Sequence, residues 1–142
     1  MRPLIINKFG KLAGWASMTT NLLWRDIEGI TEVEYKDEKE MNNEYGAGEF
    51  PIGQSEGNYK AEASVSLYKE EIIALTQSLP KGVYIQDIPP FDITVQYRYN
   101  LKLYKDVLRN CRFKNNGVAA KQNDGTITHK HDLLISHIDW NV

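Results

Sequence analysis

The sequence predicts a mainly β fold, a sandwich or barrel protomer with one flanking α-helix. Three observations carry this. Apolar and polar residues alternate at period two over most of the chain, turn dipeptides separate the alternating stretches, and a single window has helical spacing. Residues 31–41 alternate weakly. Residues 42–58 hold Gly46, Gly48, Gly53 and Gly57 around Phe50-Pro51, a density too high for regular structure, so a long loop or hairpin tip is expected at about 36–58. Residues 59–67 place Tyr59, Ala61, Ala63, Val65 and Leu67 on one face and polar residues on the other, a half-buried strand. The helix is expected over about 68–79. Glu70 and Glu71 favour its N-terminal dipole, Ile72, Leu75 and Leu79 fall on one side, and Pro80 with Gly82 stops it. Pro89-Pro90 punctuates the approach to a strand over 91–99, where Phe91, Ile93, Val95, Tyr97 and Tyr99 alternate with polar residues. Further strands are expected over 107–113 and 127–138, set apart by Asn116-Gly117 and Asp124-Gly125 turn signals.

No repeat or linker divides the 142 residues, and 42% hydrophobic against 25% charged residues suits one domain spanning 1–142. The formal net charge of -2 argues against a protein that grips nucleic acid. That total hides an uneven distribution. Residues 31–44 carry two basic and six acidic groups, while residues 98–142 carry eight basic and four acidic ones. Such asymmetry suits a protomer that meets its own copies through complementary patches. Cys111 is the only cysteine, so neither an intrachain disulfide nor a cysteine-based zinc cluster can form. The first eight residues lack the apolar stretch of a secretory signal, and no run approaches the ~20 apolar residues of a membrane span. A soluble chain in a reducing cytoplasm is expected.

Candidate chemistry is sparse. His129, His131 and His137 share strand parity, but a continuous strand would put His137 about 20 Å from His131, so they cannot share one metal and are read as packed or solvated. Ser136, His137 and Asp139 supply the residue types of a hydrolase triad, yet neighbours on a strand face opposite ways, which would turn Ser136 from His137. The glycines of 46–57 complete neither a P-loop nor a dinucleotide fingerprint. Cys111 alternates in phase with Val107 and Phe113 and reads as a buried thiol. No enzyme, cofactor or metal is expected. The acidic stretch has more content: Glu32, Glu34, Glu38 and Glu40 share one parity with Lys36 among them, a carboxylate row on one strand face.

Several stretches together resemble the tail tube proteins of bacteriophages. They are Asn7-Lys8-Phe9-Gly10-Lys11-Leu12-Ala13-Gly14-Trp15, Glu28-Gly29-Ile30-Thr31, Tyr45-Gly46-Ala47-Gly48 through Gly57-Asn58-Tyr59, and Leu67-Tyr68-Lys69-Glu70-Glu71. They continue with Gln86-Asp87-Ile88-Pro89-Pro90-Phe91-Asp92-Ile93, Leu108-Arg109-Asn110-Cys111 and Leu134-Ile135-Ser136-His137-Ile138-Asp139-Trp140. The resemblance covers nearly the whole chain in order.

It implies protomers whose strands join into a ring barrel, six to a ring, with rings stacked into a tube through which viral DNA leaves. Implied partners are further copies of the chain, tape-measure, terminator and initiator proteins, and a sheath where the tail contracts. The implied location is the virion tail, assembled in the bacterial host cytoplasm, with no membrane partner. The inner tube of a phage-related contractile injection system is the near alternative. Under this resemblance Glu32, Glu34, Glu38 and Glu40 become candidates for the charge of the lumen, where carboxylates repel phosphate. Tyr45, Gly46, Gly48, Phe50, Gly53, Gly57 and Tyr59 become candidates for contact between rings. A more distant alternative is a small-ligand or carbohydrate-binding β-barrel domain with Trp15, Trp24 or Trp140 as stacking platforms.

Overall fold

The computed structural model describes residues 14–15, 18–23, 25–123 and 125–142, with backbone only at Arg25 and Ala119. Trp24 and the stretch from Asn7 to Ala13 therefore lie outside the described residues. The elements are β1 (Met18–Leu22), β2 (Arg25–Ile27), β3 (Ile30–Tyr45), β4 (Pro51–Tyr68), α1 (Lys69–Gln77), β5 (Phe91–Tyr99), β6 (Lys102–Phe113), β7 (Gly117–Ala119), β8 (Thr128–Leu134) and β9 (His137–Asp139), with a 3-10 turn at Ile85–Asp87.

The predicted mainly β class with one helix is what forms. The strands make one open antiparallel sheet in the order β2-β1-β5-β6-β8-β4-β3, with β7 beside β8 and β9 beside β6. β6 is the turning point: β5 lines one edge, while the other is shared between β9 at Val107 to Arg109 and β8 at Arg112 and Phe113. The sheet curls there, because buried side chains of both halves meet in one cluster. Val65 and Leu67 of β4 and Leu133 of β8 join Ile93 and Val95 of β5 and Leu108, Cys111 and Phe113 of β6. Curling lets one sheet bury one face without a second sheet.

α1 begins where β4 ends, with the Tyr68 and Lys69 amides held by the carbonyls of Gly29 and Ile127. Ile72 is buried, and Leu75 and Leu79 pack against the core, so the helix covers one end of the sheet. Beyond it Gly82 takes φ +83°, a conformation that disfavours side chains.

Two expectations are corrected and one strand pair is added. Of the expected loop or hairpin it is the hairpin that forms, but residues 42–58 are strand except for 46–50 rather than irregular, because their backbone groups pair across β3 and β4 in a ladder that glycine does not prevent. The expected strand over 127–138 breaks at Ile135 and Ser136, where the chain leaves β4 and crosses to β6. The β1–β2 pair is an addition that alternation does not reveal. Its pattern is masked by Thr20, a polar residue buried in the core.

Candidate functional site

β4 has β8 as a neighbour only from Glu62 to Tyr68. Beyond that level β3 and β4 run on as a two-stranded ribbon, paired as far as Tyr45 and Pro51. An isolated two-stranded ribbon is marginal in water, and this one buries almost nothing. At its end Tyr45, Phe50 and Ile52 are 62%, 75% and 77% exposed, and Met41 is 64% exposed on the shaft. Tyr45 and Phe50 are among the candidates for contact between copies, and the structure gathers Tyr45, Gly46, Gly48, Phe50 and Gly53 at the end. Gly57 stands lower, at the register shift between Lys39 and Met41. A Cβ there would lie 2.9 Å from Glu40 Cβ, so the crossing fits glycine alone.

Glu32, Glu34 and Glu38 share the outward face of β3, as expected, but the face is mixed rather than purely acidic. Across the ladder they meet Ser66, Ser64 and Lys60, while Lys36 meets Glu62. Glu62 binds Lys60 at 2.9 Å and Lys36 at 3.6 Å. Its pKa is lowered by the Lys60 ammonium first, and Lys60 is raised in return. Lys130 and Asp132 of β8 continue the rows of Glu32 and Glu34. Glu40 stands apart from this grid, over Gly57.

The base of the ribbon is latched to the sheet by residues that sequence reasoning misses. Asp37 accepts hydrogen bonds on one carboxylate oxygen from the Tyr59 hydroxyl at 2.7 Å and the Trp140 indole at 2.8 Å. These two donors, Trp140 foremost, hold its pKa below the ordinary value. Trp140 packs on Tyr35 with ring centroids 5.3 Å apart. Tyr35 donates to buried Asp106 at 2.6 Å, whose other oxygen accepts the Asn141 amide at 2.9 Å. Burial and the Asp106 carboxylate push the Tyr35 phenol up. Tyr59, a candidate contact residue, thus has its hydroxyl engaged within the protomer, where it also accepts the Ile138 amide. No spacing in the sequence signals a latch in which Asp37 and Trp140 lie 103 positions apart.

The remaining candidates resolve as packing. His129 and His131 are buried with rings 5.9 Å apart, their Nδ1 atoms on Asn116 Oδ1 and the Asn115 carbonyl. Burial, as the largest cause, lowers both pKa values. Cys111 is buried against the Leu108 carbonyl, and burial pushes its thiol up to about 12. The expected separation of Ser136 from His137 is wrong: the chain turns here, and Ser136 Oγ lies 2.7 Å from His137 Nδ1. His137 Nε2 in turn lies 3.6 Å from Asp139 Oδ1. Ser136 Oγ also contacts the Arg109 carbonyl and the Asn110 amide, and Arg109 holds Asp139 at 2.7 Å. Trp15 is 53% exposed, whereas Trp140 belongs to the latch. No group of three metal-ligating side chains occurs among the described residues.

No protein-family model matches the chain, and no curated protein matches it by sequence. Solved structures do. A chain of an extracellular contractile injection system, the PVC sheath–tube complex in its extended state, has TM-score 0.64 at 10% identity, covering 96% of this chain and 95% of its own. The tube-terminating cap of the anti-feeding prophage contains another, with TM-score 0.63, 7% identity, and coverage of 96% and 93%. The 6-fold symmetrised baseplate of the same prophage gives TM-score 0.55 at 8% identity over 85% and 88%. At such identities the likeness establishes the fold alone, one shared with chains of these contractile injection assemblies.

Proposed function

We propose that this chain is the structural subunit of a tube, either a bacteriophage tail tube or the inner tube of a phage-related contractile injection machine. The observation that carries this reading is the projecting ribbon. Nothing among the described residues covers its apolar end, and further copies of the chain are its natural cover. The shared fold supports the reading, and its likeness to a chain of a sheath–tube complex favours the contractile kind.

In the assembly, β3 ends the strand order among the described residues and offers its free edge to the next protomer. Ring closure then removes an edge that would otherwise aggregate. Six copies per ring agree with the 6-fold symmetry of the baseplate that holds a similar chain. The ribbon, with Tyr45, Gly46, Gly48, Phe50, Gly53, Gly57 and Tyr59, reaches the adjacent ring. The outward face carrying Glu32, Glu34 and Glu38, with Glu40 nearer the ribbon end, lines the lumen, through which viral DNA passes without specific binding. Its lysines neutralise part of that charge, so the wall repels phosphate weakly while Lys36 and Lys60 stay tied to Glu62. Partners are the tape-measure protein, a terminator and an initiator at the tube ends, and a sheath. The assembly forms in the host cytoplasm and works in the virion tail, as a non-enzymatic conduit.

Sedimentation of the full chain at rising concentration tests this. Rings and longer stacks are expected to grow with concentration. A constant monomer mass, together with saturable binding of a sugar or small ligand, would instead identify a ligand-binding β domain.

A further inference from the structure

The β5–β6 turn carries two costs at once. Asn100 and Leu101 both have positive φ, 50° and 62°, the pair of left-handed residues of a type I′ turn. Asparagine suits its position, but the second strongly favours glycine, and a leucine there is strained. Leu101 is also 104% exposed, and Leu103 beside it is 63% exposed. Glycine would relieve the strain and the exposure together. A side chain kept under both costs points to a use outside the protomer.

The opposite end of the sheet holds a matching recess. A cleft of about 390 Å³ lies between α1 and the β1–β2 corner, lined mainly by Leu22, Leu23, Ile27, Ala74, Leu75 and Leu79. Its position follows from register. Leu22 pairs with Ile93 near the start of β5, whereas the turn follows Tyr99, about 20 Å further along that strand. Charge complements shape. Arg98, Lys102 and Lys105 surround the turn, where the nearest carboxylate in sequence is buried Asp106. At the cleft Glu71 lines the wall, Glu70 precedes it, Asp26 and Glu28 flank Ile27, and Asp87 precedes Ile88, five acidic positions against Lys69, Lys81 and Arg25, which pairs with Leu22.

We infer that the Leu101 turn of one copy seats in the α1 cleft of the next, a head-to-tail contact steered by basic residues meeting acidic ones. It rests on the reading of the chain as one that assembles with itself. Joined end to end, a knob and a recess leave one of each free on every added copy. They repeat from copy to copy, which is the symmetry of a stack.

The test uses the full chain. Leu101→Gly should fold with a Tm equal to or above that of the parent, while its assembly begins at a concentration at least tenfold higher. Lys102→Glu should weaken assembly, and Glu70→Lys added to it should restore assembly. Leu101→Cys and Ala74→Cys chains, mixed and oxidised, should give a disulfide-linked pair that neither gives alone. Absence of the mixed pair at concentrations where the parent assembles overturns the contact and leaves the tube reading standing. A parent that does not assemble overturns the tube reading, and the mixed disulfide then decides the contact by itself.

Discussion

His129 and His131 show how a buried side chain sets a pH limit. Both have unpartnered, buried Nε2 atoms, and both have pKa values lowered by burial. Lys69 opposes a charge on His129 further, while Asp132 and the Asn115 carbonyl only partly offset burial at His131. The neutral forms fold and the unfolded chain takes protons near pH 6.5. Stability is therefore complete above about pH 6.5 and is lost as pH falls through the lowered folded values, each tenfold difference in proton affinity between the two states being worth about 1.4 kcal/mol. Urea midpoints measured from pH 7.5 to 4.5 should fall across this window, and His131→Phe should flatten the fall whatever it does to the midpoint at pH 7.5. An unchanged slope would assign the acid sensitivity elsewhere. Gly57 gives a steric case. Its added methyl would meet Glu40 Cβ, an atom close to the backbone, so Gly57→Ala should cost ~1–3 kcal/mol in thermal or urea unfolding.

The ribbon is an element whose parts have separate supports. Its base is held by Asp37, Tyr59 and Trp140, and its outer part by the β3–β4 ladder alone. Trp140→Phe keeps an aromatic ring beside Tyr35 but deletes the indole donor to Asp37. Hydrogen exchange should speed up at the base of the ribbon while the amides of β5 and β6 keep their protection, for a loss of about 1 kcal/mol. Deletion of residues 43–56 should leave a folded protomer, since the core cluster has no member there, and should abolish stacking. Tubes of normal length from that deletion, seen by electron microscopy, would show that the ribbon end is dispensable. Legibility follows the same division. β5 is visible in the sequence because Ile93 and Val95 are apolar, buried and two apart, and α1 because Glu70, Ile72 and Pro80 mark its start, face and end. Strand beyond residue 42 is hidden, because Asn42, Asn43, Gly53 and Gln54 bury nothing and leave no periodic trace.

At the scale of the molecule, the net charge of -2 says less than its placement. Parity locates the row of Glu32, Glu34 and Glu38 on one face, but the lysines opposite cannot be read without the β3–β4 register. The latch and the cleft depend on contacts distant in sequence, and no local pattern announces them. The weak affinity for nucleic acid expected from composition becomes, in the proposed tube, a working property of its wall. Replacing Glu32, Glu34 and Glu38 with lysine should therefore leave the protomer folded but make its tubes retain DNA, with binding that weakens steeply as salt rises.

Cryo-electron microscopy of the concentrated chain would show the assembly itself. Stacked rings are expected, with a continuous inner wall of β-strands, Glu32, Glu34 and Glu38 on the lumen side and the ribbon crossing to the next ring. Dispersed single protomers at every concentration, or tubes with those glutamates on the outer surface, would contradict that expectation.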